Sequence, residues 1–353
     1  MRMLATVALL LLGCSAGSKR DAVPTETTTA VTVAEVHAPV PAAATAAPVG
    51  RDPEPVRFCG QLWEAAAVEV RCRDRAVTDL APLRRLAALE QLDLARTRVS
   101  DLKPLGGLAT LKKLSLSGTP VHGLAPLASL TSLEPLVLWG TEVTDLSPLG
   151  ELTRLKGLNF GNTQVSDLRP LAKLTRLEGL GLGHTPVSDL GPLRGLERLK
   201  ELGLGHTGVS DLGPLVGLTR LESLDLAHTR VSGLGPLVGL TRLKRLYLSD
   251  TPVTDLRPLA GLVDLELLRL DHTEVSDLRP LAGLTRLFAL EVGSTQVTDL
   301  RPLAGLSRLE SLEIIGAPVS ERQVAWLQRQ LPGCEVTRKR MPKHPRPATP
   351  RGP

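Results

Sequence analysis

A valine that recurs every 22 residues is the strongest constraint on how this chain folds. Twelve valines keep this spacing without an insertion or deletion: Val77, Val99, Val121, Val143, Val165, Val187, Val209, Val231, Val253, Val275, Val297 and Val319. A fixed period of this length is typical of stacked repeats, in which each unit contacts only its neighbours. One unit cannot bury enough apolar surface to offset the entropy lost on ordering it, so the units must stack in order to fold.

The apolar residues of each unit lie at fixed places, as residues 177–198 show. We expect seven side chains of this unit to point into the coil: Leu177, Leu180, Leu182, Val187, Leu190, Leu193 and Leu196. Leucine alternates with glycine around Leu180, which predicts a strand with one buried face. Strands of successive units are expected to pair in parallel and to form the inner wall.

A proline follows the strand in eleven units, as at Pro192, and suits the first position of a helical turn. Too few residues remain before the next strand for a long helix, so short 3₁₀ or one-turn segments are expected on the convex side. With the L-x-x-L-x-L spacing, this pattern predicts an α/β solenoid of about twelve leucine-rich-repeat coils over residues 77–319. Aspartate recurs at the position of Asp189 and is interpreted as a cap on the turn, because catalytic carboxylates do not repeat with a scaffold.

From residue 70 to residue 319 the chain resembles the 22-residue leucine-rich repeats of internalins. In that family an inward asparagine follows the strand and bonds the backbone of neighbouring coils. The resemblance implies the same role for the threonines at this place: Thr97, Thr119, Thr141, Thr163, Thr185, Thr207, Thr229, Thr251, Thr273 and Thr295. A hydroxyl has one donor where an amide has two, so we expect fewer backbone groups to be satisfied per coil.

The N-terminus indicates export. Residues 1–13 carry an apolar run too short to span a bilayer, which is typical of a signal peptide. The sequence LLGC ending at Cys14 resembles the lipobox of bacterial lipoproteins, which implies cleavage before Cys14 and attachment of lipid to it. A plain signal peptide cut elsewhere is the alternative. By analogy with bacterial lipoproteins, Ser15 directly after the cysteine implies a location at the outer membrane or cell surface rather than retention at the inner membrane. Residues 14–56 are rich in Ala, Pro and Thr and are expected to form a disordered linker.

The two ends of the repeat array depart from the pattern and are expected to cap it. Residues 57–76 form the N-terminal cap, where Cys59 and Cys72 are expected to form a disulfide, with two buried thiols as the alternative. Residues 320–337 predict a cap helix and a last strand. Residues 338–353 hold six Lys or Arg and no acid, so the net charge of +5 leaves about −1 elsewhere. This tail is interpreted as a solvated end, with binding of envelope polyanions as the alternative.

The variable positions beside the strand leucines are the candidates for binding a partner, because leucine-rich solenoids usually bind on the concave sheet. Val137 and Trp139 share one strand face and are expected to form an exposed anchor. Gly181 and Gly183 are expected to leave a shallow trough where a partner approaches the backbone. A second candidate patch, with solvated surface as the alternative, consists of Arg245, Tyr247 and Arg269.

A column of histidines adjoins these positions and consists of His184, His206, His228, Asp250 and His272. Neighbours one repeat apart are expected to lie about 4.8 Å apart, close enough to share a metal ion. The alternative is duplication of one repeat, which copies a histidine without selection for binding. No nucleophile motif accompanies Ser249 and Asp250, so a hydrolase is not expected.

The sequence thus favours a non-enzymatic, monomeric lipoprotein of the bacterial envelope that binds a protein on its concave sheet and a membrane through its lipid. No cofactor is expected, because the chain has no phosphate-cradling glycine loop and no CxxC pair. Seven aromatic residues in the whole chain argue against platforms on which nucleic-acid bases or sugars stack, and no nucleic acid is expected. Two other hypotheses are a metal-dependent site on the histidine column and an envelope spacer without a specific partner, for which Trp139→Asp would change no interaction.

Overall fold

A parallel sheet of 13 strands, β3 to β15 in order along the chain, forms the inner wall of the protein. The computed structural model describes residues 54–338. The strands are β1 Val56–Phe58, β2 Gln61–Trp63, β3 Glu69–Arg71, β4 Gln91–Asp93, β5 Lys113–Ser115, β6 Pro135–Val137, β7 Gly157–Asn159, β8 Gly179–Gly181, β9 Glu201–Gly203, β10 Ser223–Asp225, β11 Arg245–Tyr247, β12 Leu267–Arg269, β13 Ala289–Glu291, β14 Ser311–Glu313 and β15 Glu335–Thr337. The proposed lipidation site Cys14, the signal peptide and most of the linker and tail lie outside the described residues.

Each coil buries the leucines that the repeat predicts. In the coil that contains β8, the exposed fraction of Leu180, Leu182 and Val187 is 0%. The strands pair with a shift of one repeat, so that Leu180 lies opposite Leu158 and Leu202. Equivalent residues of all coils therefore form straight columns, and the fold is the expected α/β leucine-rich-repeat solenoid. Eleven strands of the sheet, β4 to β14, lie within residues 77–319, and each cap adds one more, β3 at the N-terminal end and β15 at the C-terminal end.

The convex side consists of short 3₁₀ turns, as the prolines predict. They span Ala81–Arg85, Lys103–Leu105, Ala125–Ser129, Ser147–Leu149, Arg169–Leu171, Gly191–Leu193, Gly213–Leu215, Gly235–Leu237, Arg257–Leu259, Arg279–Leu281 and Arg301–Leu303. A proline occupies one of the first two positions, as Pro192 does in Gly191–Leu193. The carboxylate of Asp189 accepts a hydrogen bond of 2.8 Å from the backbone N–H of Gly191. The recurring aspartates therefore fix the entry to the turns.

The threonine column differs from what the internalin resemblance implies. Thr207 Oγ1 donates a hydrogen bond of 2.6 Å to the carbonyl of Leu204, three residues earlier in the same coil. All ten threonines of the column make this bond within their own coil. The backbone instead links the coils, as where Leu182 N–H donates to the carbonyl of Gly203 at 2.9 Å.

The first coil is covered by a hairpin that the sequence did not predict. Strands β1 and β2 pair antiparallel and place Val56 and Phe58 in the core. Cys59 and Cys72 are joined by a disulfide, with their Cα atoms 5.8 Å apart. This bond ties the hairpin to the end of β3, so the apolar end of the stack is shielded from water.

The last coil is covered by a helix, α1 (Glu321–Gln330). Ser320 caps this helix by accepting a hydrogen bond of 3.3 Å from the N–H of Gln323, and Leu327 is fully buried. Cys334 is a buried free thiol whose pKa is raised to about 11, chiefly by burial. Neither α1 nor any other helix among residues 54–338 has the length and apolarity to cross a membrane.

A ladder of alternating charge follows the edge of the sheet, one residue before each of the strands β4 to β11. Its ion pairs include Lys112 with Glu90 at 2.6 Å and Lys200 with Glu178 at 2.7 Å. The same pairing recurs in every second coil. Each pair is partly exposed and contributes little to stability, but the ladder leaves this edge of the sheet electrically balanced.

Candidate functional site

The concave face is formed by the two residues that flank the central leucine of each strand. In β11, Leu246 is fully buried, whereas Arg245 and Tyr247 point outward and are half-buried by their neighbours. The sheet register places Tyr247 directly opposite Arg269 of β12. This geometry brings the three residues of the second candidate patch together, and we call Arg245, Tyr247 and Arg269 the Tyr247 patch.

Contacts between strands hold the Tyr247 patch in place. The Arg269 guanidinium carbon lies 5.5 Å from the centre of the Tyr247 ring, a cation–π contact. Arg269 Nε is also 3.0 Å from Glu291 Oε1, although this N–H does not point along a hydrogen bond. On the other side, Arg245 Nη2 lies 3.6 Å from Glu201 Oε1, two coils away. Arg269 therefore packs against the aromatic ring, whereas Arg245, two residues before Tyr247 on the same strand, is directed toward Glu201.

The carboxylates around the Tyr247 patch, Glu201 and Glu291, were not among the site residues predicted from the sequence. Glu201 is reached by Arg245 because the residue between them, Ser223, is small. Glu291 follows Arg269 at the equivalent position of the next strand. The signal was available in the columns, since opposite charges at equivalent positions of adjacent coils must meet at strand spacing.

Burial changes the protonation of these carboxyl groups. Burial raises the pKa of Glu291 to about 7, and nearby Asp271 and Glu313 add to this against the attraction of Arg269. Burial also raises the pKa of Glu201 and of Asp225 above the ordinary carboxyl range. The charge of Glu291, which lies next to the Tyr247 patch, therefore changes near neutral pH.

The first candidate anchor, Val137 with Trp139, needs correction. Val137 is only 7% exposed, because Ser115 and Asn159 flank it at strand spacing on either side. Trp139 is half-buried, and its ring lies across Gly161, where an added Cβ would collide with the indole. Trp139 thus lies along the sheet and offers a partner only part of its surface.

The expected glycine trough is filled at one of its two glycines. Gly181 is buried, and the amide of Asn159 leans over it, about 3.1 Å from where a Cβ would be. Gly183 remains half-buried, and a Cβ added to it would meet the backbone carbonyl of Gly205 at 2.9 Å. A partner therefore meets the Asn159 side chain at Gly181, whereas the neighbouring group at Gly183 is backbone.

The histidine column occupies a backbone position with positive φ. His184, His206, His228 and His272 have φ between 55° and 59°, and so does Asp250 at 56°. In other coils the equivalent position is occupied by residues that also have positive φ, among them Gly118, Gly140 and Asn162. Histidine, asparagine and aspartate tolerate this conformation better than most residues, so the turn itself explains the composition of the column.

The rings of the column stack instead of converging on one point. The centroids of His184 and His206 are 4.0 Å apart and those of His206 and His228 are 3.9 Å apart, with nearly parallel planes. The lone pairs of stacked imidazoles lie in parallel planes and do not point at a common metal ion. Between residues 54 and 338, no group of three His, Cys, Asp or Glu side chains is arranged to hold a metal.

The parallel sheet, the 3₁₀ turns and the stacked leucine columns define the chain as a leucine-rich-repeat protein. It is similar to an internalin of Listeria monocytogenes, InlF, with 27% identity, a TM-score of 0.70, and coverage of 74% of this chain and 76% of that one. A leucine-rich-repeat protein of Leptospira interrogans matches with 24% identity and a TM-score of 0.66 over 72% of this chain and 74% of that one.

A plant receptor is similar to this chain in fold only. The ectodomain of an Arabidopsis thaliana receptor kinase, solved in complex with Casparian strip integrity factor 2, has 18% identity and a TM-score of 0.60. The match covers 74% of this chain and 37% of the receptor. No protein-family model matches this chain, and no curated protein matches it significantly.

Proposed function

We propose that this chain is a non-enzymatic, protein-binding lipoprotein of the bacterial cell envelope, and that its partner docks on the concave sheet. The Tyr247 patch carries the proposal. An aromatic ring in cation–π contact with one half-buried arginine, with a second arginine on its own strand, has the residue types in which binding energy is usually concentrated. The receptor kinase that shares this fold was solved with a bound factor, which supports a binding role for the fold.

Rigidity is the second argument for docking at this patch. Arg245 and Tyr247 lie on β11 and Arg269 lies on β12, and ion pairs with Glu201 and Glu291 restrain both arginines. Binding of a partner here therefore costs little conformational entropy, because these side chains are already ordered. Burial also raises the pKa of the Tyr247 hydroxyl, so this group stays neutral and is free to donate a hydrogen bond.

The proposal predicts that Tyr247→Ala weakens the interaction with the partner about 30-fold, since loss of a central aromatic anchor costs roughly 2 kcal/mol or more. The partner is first captured in the native cell with a photo-crosslinking phenylalanine derivative at position 247. Its affinity for the purified wild type and variant is then measured by titration calorimetry.

Phe288→Ala is the matched control, because Phe288 is an aromatic residue with 40% exposure that lies at the edge of the sheet, one residue before β13. We expect it to leave the affinity within about twofold. Loss of binding in Phe288→Ala with full binding in Tyr247→Ala would place the partner elsewhere. The spacer hypothesis instead predicts that no partner is captured at position 247 and that Trp139→Asp leaves every pull-down from envelope extracts unchanged.

The envelope location rests on the residues before the linker. The sequence LLGC places a cysteine directly after a short apolar run and a small residue, which supports lipid attachment at Cys14. We expect Cys14→Ser to move the protein from the membrane fraction to the soluble fraction, because a lipid chain is then no longer attached. Immunoblotting of separated fractions measures this, and unchanged membrane association in the variant would contradict the proposal.

A further inference from the structure

Five arginines at one position of consecutive repeats form a row on the outside of the solenoid. Each lies three residues before a strand, ahead of β7 to β11, and each is exposed. We call them the arginine row: Arg154, Arg176, Arg198, Arg220 and Arg242. The strands that follow are paired in a strict one-repeat register. At strand spacing, the row therefore places one positive charge about every 5 Å over roughly 20 Å.

The arginine row carries uncompensated charge, in contrast to the lysines that lie two residues further along the chain in alternate coils. None of its members makes an ion pair or a side-chain hydrogen bond with another residue in the range 54–338. Two residues further along the chain, Lys200 and Lys244 pair with glutamates. The row ends where Asp264 occupies its position, and Asp264 forms an ion pair of 2.6 Å with Arg286.

The surface beside the row is open and suited to anions. Threonine precedes the arginine in four of the five units, and these exposed hydroxyls make no hydrogen bond of their own within the described part of the chain: Thr153, Thr175, Thr219 and Thr241. Gly195, Gly217 and Gly239 come three residues before an arginine of the row, and a Cβ added to any of them meets no atom within 4 Å. Glu197 is the one acidic residue next to an arginine of the row.

We infer that the arginine row binds a linear anionic polysaccharide. Guanidinium groups bind carboxylate and sulfate groups through paired hydrogen bonds, and the adjacent threonine hydroxyls add further donors. A regular row of single charges matches a polymer whose charges also repeat regularly along one line. A single-stranded nucleic acid would need aromatic side chains on which bases stack, and none flanks this row. No arginine of the row belongs to the Tyr247 patch, so we treat this ligand as distinct from the protein partner.

The test compares two triple variants of the full-length protein in binding dextran sulfate and polygalacturonate. The first is Arg176→Gln/Arg198→Gln/Arg220→Gln. The matched control, Arg257→Gln/Arg279→Gln/Arg301→Gln, removes the same charge from arginines that are each paired with an aspartate in their own coil. We expect at least about a tenfold loss of affinity in the first variant only, with a salt-dependence slope smaller by roughly 2 to 3. The basic tail is present in both and cannot produce a difference.

Several outcomes would overturn this inference. Equal losses in both variants would show that only net charge matters, and binding of neutral dextran would show that charge is not what is recognised. Tighter binding of single-stranded RNA or of phosphatidylglycerol vesicles than of either polysaccharide would assign the row to another ligand. An Arg→Lys triple at the same three positions checks the fold and is expected to lose less affinity than the Arg→Gln triple, because lysine keeps the charge but cannot make the paired hydrogen bonds. Tyr247→Ala is expected to bind both polysaccharides like the wild type.

Discussion

Phe160→Ala is expected to reduce the free energy of unfolding by about 3 to 5 kcal/mol. Phe160 is fully buried, and its position holds Leu138 and Leu182 in the neighbouring coils. The change leaves a cavity between two stacked coils, which have no other elements to fill it. Because natural domains are stable by only about 5 to 15 kcal/mol, this loss is a large share of the total. Urea unfolding followed by circular dichroism measures it.

The matched control for this cavity is Phe160→Leu, which restores the residue of the adjoining coils. We expect it to cost less than about 1.5 kcal/mol, because leucine already fits this place in the repeat. The alanine variant is also expected to separate the two halves of the stack, so that hydrogen exchange is faster near β7 than near β13. Equal destabilisation by both substitutions would show that the coils do not depend on packing at this column.

The period of the repeat made the core predictable, whereas the surface depends on the sizes of neighbouring side chains. The valine spacing fixes which residues become neighbours, so Tyr247 and Arg269 follow directly from the columns. The spacing does not say in which direction a long side chain leans. Trp139 leans onto the next coil because Gly161 leaves space there, and the Asn159 amide leans over Gly181, so the expectations of an exposed Trp139 and of an open trough at Gly181 were wrong.

The histidine column is a second case in which the spacing of residues alone does not reveal their role. Its spacing allowed a shared metal ion as one hypothesis, but the backbone turn with positive φ favours these residue types, and their rings stack. Gly118, Gly140 and Asn162 at the same position were the available signal, since they are residues that favour such a turn. The residue types found along a whole column are therefore better evidence of its role than the metal-binding chemistry of its histidines.

The pH dependence of stability is expected to reflect Glu291, whose pKa is raised to about 7, chiefly by burial. In the unfolded chain this carboxyl loses its proton near its ordinary pKa, whereas in the folded protein it keeps the proton to about pH 7. Between these values the folded state binds more protons, so the free energy of unfolding falls as pH rises. The stabilisation is complete at acidic pH and is lost above pH 7, by up to about 3 kcal/mol.

Glu291→Gln tests this directly, because glutamine resembles the protonated carboxyl at every pH. We expect the variant to match the wild type near pH 4.5 and to be more stable by about 1 to 3 kcal/mol at pH 8, measured by urea unfolding across this range. Glu310→Gln, at an exposed carboxylate one residue before β14, is the control and should keep the wild-type profile. A Glu291→Gln variant that is less stable at pH 8 would mean that the ion pair with Arg269 outweighs the cost of burial. The expected gain instead implies that this part of the concave sheet retains a destabilising charge, and such charges are typical of surfaces kept for binding.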